Sequence, residues 1–363
     1  MKNYLLTLTD IKYYVNILIV KTSAIGDVTH TLPSLNSIRQ EFPKAHITWL
    51  IEEEAVDIIR NNPALDRILI SKRKSWIKGL KAGKRWSVIC QVFRFLKEIR
   101  DTHYDLLIDF QGLLKSSVFI ALCHAKRKAG FGKGMEHSEC SHLFLNERVP
   151  PVDMDIHAIE RELLLLKALS IPPGKEIYQM PITPADKKEA KIILTGANID
   201  PLRPLIAINP MTTWQTKHWY KEGFAELADR LIDQKIQVVF TGGRSDVPAI
   251  TEIIKLMRTT ATNLAGQTSL KALAALYALA DVVISTDTGP MHIAAAIGTP
   301  TIALFGPTAP WRTGPYGKQH KVIRSNIPCS PCFKKSCTRG DNACMRQISP
   351  GEVLKAALSK CTP

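Results

Sequence analysis

The chain has 363 residues, 45% of them hydrophobic and 22% charged, which supplies apolar material for two cores and lacks the bias of a disordered protein. A formal charge of +15 calls for an anionic partner, whether nucleotide, phosphorylated substrate, phospholipid surface or nucleic acid, without choosing among them. Eight cysteines in a chain of this length exclude a small disulfide scaffold and point to thiols or a metal site.

Residues 1–14 carry one early lysine, a brief Leu5-Leu6 patch and Asp10, with no small-residue cleavage site, so no signal peptide is expected and the chain reads as cytoplasmic. Strand-like runs at Val15 to Val20, Ile47 to Ile51 and Leu106 to Asp109 then alternate with helical patterns at Leu32 to Phe42, Ala55 to Asn61, Val88 to Arg100 and Lys115 to Cys123. That is βαβ order. His157 to Leu169 reads as a long helix, and the proline-rich stretch from Ile171 to Pro184 is the expected boundary. The second half has strands at Leu205 to Asn209, Gln237 to Thr241, Asn263 to Ala265, Val282 to Ser285 and Thr301 to Leu304. Helices at Tyr220 to Gln234, Val247 to Met257, Ser269 to Ala280 and Pro290 to Ile297 separate them. The class is α/β, with two doubly wound Rossmann-like domains whose ligands are expected at the carboxyl ends of the strands. Thr288 to Trp311 has no Asp, Glu, Lys or Arg but is broken by several glycines and prolines, so no transmembrane segment is expected.

Two strand–loop–helix segments stand out. Lys21 to His30 follows the first strand, and Ser285 to His292 follows Val282 to Ile284; such loops offer backbone N–H groups and a helix dipole to an anion. In the second half, Thr212, Thr213 and Lys217 follow one strand, Gly242 to Asp246 the next, and Asp287, Thr288 and Gly289 another. Together they suit a nucleotide diphosphate, with hydroxyls, one point charge and helix amides, Pro290 at the first helical position and His292 one turn in. In the first half Asp27 is the candidate for chemistry, because a loop-end carboxylate can accept a proton from an attacking hydroxyl. The competing role is N-cap of a helix beginning near Val28. Lys115, in Gln111 to Ser116, is available to an acidic acceptor unless it is merely a solvated lysine.

These residues carry a resemblance. Val20 to Val28 with His30 to Pro33, Trp49 with Glu52-Glu53, Asp109 to Ser116, Thr212-Thr213 with Lys217 to Trp219, and Asp287 to Gly289 with His292 resemble the lipopolysaccharide heptosyltransferases of glycosyltransferase family 9, over about Val15 to Val353. The resemblance implies a GT-B fold with two Rossmann-like domains facing a cleft. Residues 1–180 would bind the acceptor, and 181–363, with a Cys-rich C-terminal segment, the nucleotide sugar. It implies inverting transfer of L-glycero-D-manno-heptose from ADP-heptose to Kdo of the lipid A inner core, peripherally on the inner face of the inner membrane, with no cofactor. Asp27 resembles the general base and Ser23 an acceptor-site residue. Thr212, Thr213 and Lys217 resemble diphosphate and donor contacts, and Asp287, Thr288 and Gly289 the donor-sugar and phosphate loop. Asp246 corresponds to a ribose contact and Thr268 to a backbone approach to adenine, while Trp214 departs from the pattern. The alternatives are an enzyme acting on a later core heptose and a nucleotide-sugar epimerase of the same fold.

Cys329, Cys332, Cys337 and Cys344, separated by two, four and six residues, suit a structural metal or reduced thiols; the spacing does not match the paired zinc-ribbon pattern. Residues 72–100 mix basic side chains with Trp76, Trp86, Phe93 and Phe95, which suits either an anionic bilayer or a helix packed on its own domain with a solvated basic face. No nucleic-acid recognition motif occurs. The glycines 130, 132 and 134 follow a basic run read as something other than a strand, which argues against a dinucleotide fingerprint.

Overall fold

A computed structural model describes residues 16–135, 139–174 and 180–361, so the reading of residues 1–14 lies outside the described residues. The chain divides into two compact units, Met1–Pro181 and Ile182–Pro363.

The first unit is a parallel sheet of β1 (Asn16–Val20), β2 (His46–Glu52), β3 (Arg67–Ser71), β4 (His103–Asp109), β5 (His124–Phe131) and β6 (Glu147–Val149), in the order β3-β2-β1-β4-β5-β6. Its helices are α1 (Ile25–His30), α2 (Leu32–Glu41), α3 (Val56–Ile59), α4 (Arg73–Lys81), α5 (Arg85–Arg100), α6 (Leu114–Leu122) and α7 (Ala158–Ala168). Ile17, Leu18, Ile19 and Val20 are all fully buried, as a central strand covered by helices on both faces requires.

The second unit repeats this plan. Its strands are β7 (Leu205–Asn209), β8 (Gln237–Phe240), β9 (Thr262–Asn263), β10 (Val282–Thr286), β11 (Thr301–Phe305) and β12 (Lys321–Arg324), in the order β12-β11-β10-β7-β8-β9. Read from β9, this is the same 3-2-1-4-5-6 order. The helices are α8 (Pro184–Gly196), α9 (Lys221–Asp233), α10 (Val247–Lys255), α11 (Leu270–Tyr277), α12 (Gly289–Ile297), α13 (Pro310–Thr313), α14 (Ala343–Arg346) and α15 (Pro350–Leu358). Val353, Leu354 and Ala357 of α15 join the core built on Ile206, Ile208, Ile284 and Leu304.

One expectation is corrected. The basic run 125–129 is a strand, β5, paired on both sides by β4 and β6. Its charges are met across the sheet: Lys126 Nζ lies 2.8 Å from Asp105, the Arg127 guanidinium 2.6 Å from Glu147, and Lys128 Nζ donates to the Ile120 carbonyl at 2.7 Å. A Cβ at Gly130 would meet Leu145 at 2.8 Å, so that glycine serves close packing. Among the described residues no α-helix opens between β5 and Ala158, and the segment still forms no dinucleotide turn. Nor is any described helix long and apolar enough to cross a membrane.

Candidate active site

In each sheet the first and fourth strands are neighbours, and the loops after them emerge side by side at the switch point where ligands bind such folds. Val20 pairs with Asp109 and Asn209 with Ser285, which fixes which loop residues meet.

In the first unit, Gln111 ties the two loops together. Its Oε1 accepts from Thr22 N at 2.8 Å, Thr22 Oγ1 at 2.9 Å and Ser23 N at 3.0 Å. Gly112, at φ 68°, supplies the left-handed turn that follows. Ala24 N donates to Asp27 Oδ2 at 3.0 Å. Three successive N–H groups expected to serve an anion are thus taken by the protein's own side chains. The helix starts at Ile25 rather than near Val28, so Asp27 is its third residue and returns a bond to the cap instead of being the cap. Its carboxylate remains exposed, on the wall of a cavity of about 320 Å³ that Lys21, His30, Asp109, Gln111, Arg161 and Glu162 also line.

Beneath Asp27 lies a buried ion pair. Lys21 Nζ donates to Glu162 Oε1 at 2.8 Å and to the Phe110 carbonyl at 2.9 Å, and Thr31 Oγ1 donates to the same carboxylate oxygen at 3.0 Å. Burial alone would lower the Lys21 ammonium's pKa; attraction to Glu162, and then to Asp27, more than offsets it, so Lys21 is held protonated. Burial raises Glu162, with Lys21 opposing. Asp109 accepts from Gln111 N at 3.0 Å and Gly112 N at 3.1 Å through one oxygen, while its other oxygen is buried without a hydrogen-bond partner. Burial pushes its pKa up to about 6. Lys115 is half-buried, donates to Ser23 Oγ and lies 3.9 Å from the buried Glu52, which also accepts from Arg73 Nε at 2.9 Å. Lys115 is therefore not a solvated lysine, and burial lowers its pKa.

In the second unit Lys217 Nζ lies 2.6 Å from Asp287 Oδ2, which also accepts from Thr308 Oγ1 at 2.6 Å. Thr212 Oγ1 reaches the Asp287 carbonyl at 3.4 Å, and His218 Nε2 meets the Thr212 carbonyl at 2.7 Å. Lys217 stands 4.6 Å from the Trp214 ring centroid, which gives the departing Trp214 a cation–π role. Thr213 is exposed. Thr288 caps α12 by backbone geometry alone, Gly289 is its first residue, and Pro290 is second rather than first, so one N–H is missing from that turn. His292 is buried within the helix. Asp246, after β8, accepts from Gly243 N at 2.8 Å, and Thr268 is half-buried in the loop after β9. The candidates thus fall on the carboxyl ends of β7, β8, β9 and β10, which are contiguous in the sheet. A cavity of about 620 Å³ in this unit is lined by Met211, Gln215, His218 and Arg346 among others; Thr212, Lys217 and Asp287 do not line it.

All four clustered cysteines are free thiols lining one small cavity of about 30 Å³. Among the described residues no three His, Cys, Asp or Glu groups are placed to hold a metal ion. Burial pushes Cys344 up to about 11, whereas the Asn342 N–H and its neighbours lower Cys337.

Sequence reasoning passed over Glu162, Asp109, Glu52 and Arg73 as site residues. The signal for Glu162 was present: a glutamate between Ile159 and Leu166 on the apolar stripe of α7 must be paired to be buried.

Asp109 yields a stability test. An unfolded aspartate ionises near 3.8, whereas folded Asp109 keeps its proton to about 6. The folded state binds the extra proton between those values, so this residue's contribution to stability falls as pH rises from 3.8 to about 6, then levels off. Asp109→Asn should gain stability over the parent across that window, with the largest gain above pH 6, measured by denaturant unfolding at pH 4, 5, 6 and 7.5. A constant difference at all four would refute the buried, proton-holding Asp109.

Comparison with known proteins bears on the family. Residues 92–342 match the model of glycosyltransferase family 9 (heptosyltransferase). The chain is 33% identical to lipopolysaccharide heptosyltransferase 1 of Pseudomonas aeruginosa, over 89% of this chain and 87% of that protein. It is 31% identical to lipopolysaccharide heptosyltransferase 1 of Escherichia coli K12, over 85% and 93%. The solved structure of E. coli heptosyltransferase WaaC with ADP superposes with a TM-score of 0.74 at 28% identity, over 95% of this chain and 99% of that one. With its two Rossmann-like α/β units, this chain belongs to glycosyltransferase family 9, the heptosyltransferases, and is a glycosyltransferase of lipopolysaccharide core synthesis.

Proposed function

We propose that the chain adds the first heptose of the inner core, transferring L-glycero-D-manno-heptose from ADP-heptose to Kdo of lipid A on the cytoplasmic face of the inner membrane. The observation that carries the acceptor choice is its similarity to two heptosyltransferases 1, at 33% and 31% identity, against 23% to a lipooligosaccharide heptosyltransferase 2 and 27% to a heptosyltransferase 3. Binding of ADP and of ADP-2-deoxy-2-fluoro heptose by E. coli WaaC supports the donor.

On this reading the first unit takes the acceptor and the second the donor. Asp27 removes the proton from the attacking Kdo hydroxyl as the new carbon–oxygen bond forms at the anomeric carbon. The bond from that carbon to the phosphate oxygen breaks on the opposite face, and the configuration inverts. Lys21 and its Glu162 partner hold the floor under Asp27, while Lys115 and Ser23 offer polar contacts to an acidic sugar. Lys217 and the opening turn of α12 stabilise the charge on departing ADP; Thr212 and Thr213 donate to the phosphates. Asp287, an acceptor, fits sugar hydroxyls and not phosphate. Asp246 and Thr268 take the ribose and adenine, and Thr288, Gly289 and His292 complete the donor loop.

Mass spectrometry of products from ADP-heptose should show one added heptose on Kdo-lipid A and none on an acceptor already carrying that heptose. Addition only to the latter would assign the enzyme to a later core heptose. Asp27→Asn should lower kcat by about two orders of magnitude or more, the usual contribution of a general base, while ADP-heptose affinity by calorimetry stays near the parent's. Near-parental turnover would remove Asp27 from the chemistry. Lys217→Ala should weaken ADP binding and slow turnover together, because it deletes a charge-assisted donor to the diphosphate. If both stay unchanged, another group neutralises the leaving group.

A further inference from the structure

The α4–α5 hairpin has an apolar surface that the fold does not use. On α5, Val88, Phe95 and Ile99 are buried, and Trp76 of α4 packs on Phe95 with ring centroids 5.2 Å apart. At the α-helical period these buried positions share one face, and Trp86, Ile89 and Phe93 occupy the other side of the same helix. Those three are 78%, 40% and 68% exposed, and Ile77 and Leu80 of α4 are 44% and 47% exposed. An ordinary surface helix has one apolar stripe; α5 has two on roughly opposite sides.

The exposed stripe is framed by cations. Lys97 and Arg100 continue it four and seven residues beyond Phe93, while Lys78, Lys81, Lys84 and Arg85 surround the turn between the helices. Residues 72–100 contain ten Lys and Arg against a single acid, Glu98. Arg73 and Lys74 are paired with Glu52 and Glu54. Among the described residues, Lys78, Lys81, Lys84 and Arg85 form no ion pair, and the segment 82–87 is exposed throughout.

We propose that this hairpin is the surface by which the protein docks on an anionic phospholipid bilayer. Leu80, Trp86 and Phe93 enter the boundary between headgroups and acyl chains, and Lys78, Lys81, Lys84 and Arg85 meet the lipid phosphates. Charge selects the occupant. A second copy of this chain would bring the same ten cations against them, whereas an anionic bilayer satisfies the basic ring and the apolar centre together. The proposal does not depend on the sugar-transfer reading, and its test contains no sugar.

The full chain should co-sediment with phosphatidylglycerol vesicles and not with phosphatidylcholine vesicles, with affinity falling as salt rises. Replacing Lys78, Lys81, Lys84 and Arg85 by Gln should weaken binding at least about tenfold and flatten its salt dependence. Trp86→Ser with Phe93→Ser should weaken binding while keeping the salt slope. The blue shift of tryptophan emission on binding should shrink in Trp86→Phe. All these side chains are exposed, so thermal midpoints should match the parent. Equal binding of parent and variants, or equal binding to neutral vesicles, overturns the proposal. So does a self-association, seen by analytical ultracentrifugation, that the apolar variants abolish.

Discussion

A parallel sheet covered by helices on both faces leaves its polar backbone ends, and hence its chemistry, only at the edges where the strands stop. In both units the strand order places the first strand beside the fourth, with connections leaving in opposite directions, so a crevice opens at their carboxyl ends. The contacts of Gln111 and of Asp287 depend on the register across that seam. Val20 opposite Asp109 lets Gln111 bind the backbone of Thr22 and Ser23; Asn209 opposite Ser285 brings the Thr212 hydroxyl and the Lys217 ammonium to Asp287. A slip of one residue would turn each of these side chains to the wrong face.

At each seam a lysine is held by a carboxylate, with different consequences. The Lys21–Glu162 pair is buried, and each member has a further partner, Phe110 for the lysine and Thr31 for the glutamate, which is the condition for tolerating charge in a low-dielectric interior. It holds α7 and the loop after β1 together beneath Asp27, and places a positive charge near that exposed carboxylate. Lys217 is less buried and pairs with Asp287 where the loops after β7 and β10 meet. In the first unit the loop N–H groups are consumed internally by Gln111 and Asp27. Those three N–H groups are therefore not free to bind a phosphate.

The hairpin α4–α5 obeys a different constraint. Gly79 lets the two helices approach so closely that a Cβ there would meet Val88 at 2.7 Å, and this contact fixes which face of α5 turns inward. Once Val88, Phe95 and Ile99 are inside, Trp86, Ile89 and Phe93 are necessarily outside. The sequence reading left the segment between a membrane surface and a packed amphipathic helix. Packing explains one half of its apolar residues and not the other.

Local chemistry determined much of this protein. Apolar runs such as Asn16–Val20 and Val282–Thr286, the turns after them, and the proline in the first turn of α12 were readable because neighbours in sequence set them. The start of α15 was equally readable, with Ser349 accepting from Glu352 N and Pro350 in the first turn, although it was not read. The ordered motifs from Lys21 to His292 also carried the family resemblance. Long-range pairing was decided only in three dimensions. The basic run 125–129 became a strand because Asp105 and Glu147 neutralise it from adjacent strands, and Asp27 became a third helical residue because the helix begins three residues earlier than its sequence suggested. Glu162 reached Lys21 from 141 residues away. Periodicity and capping are nearest-neighbour effects written in the chain, whereas a buried charge's partner is set by which strands and helices meet.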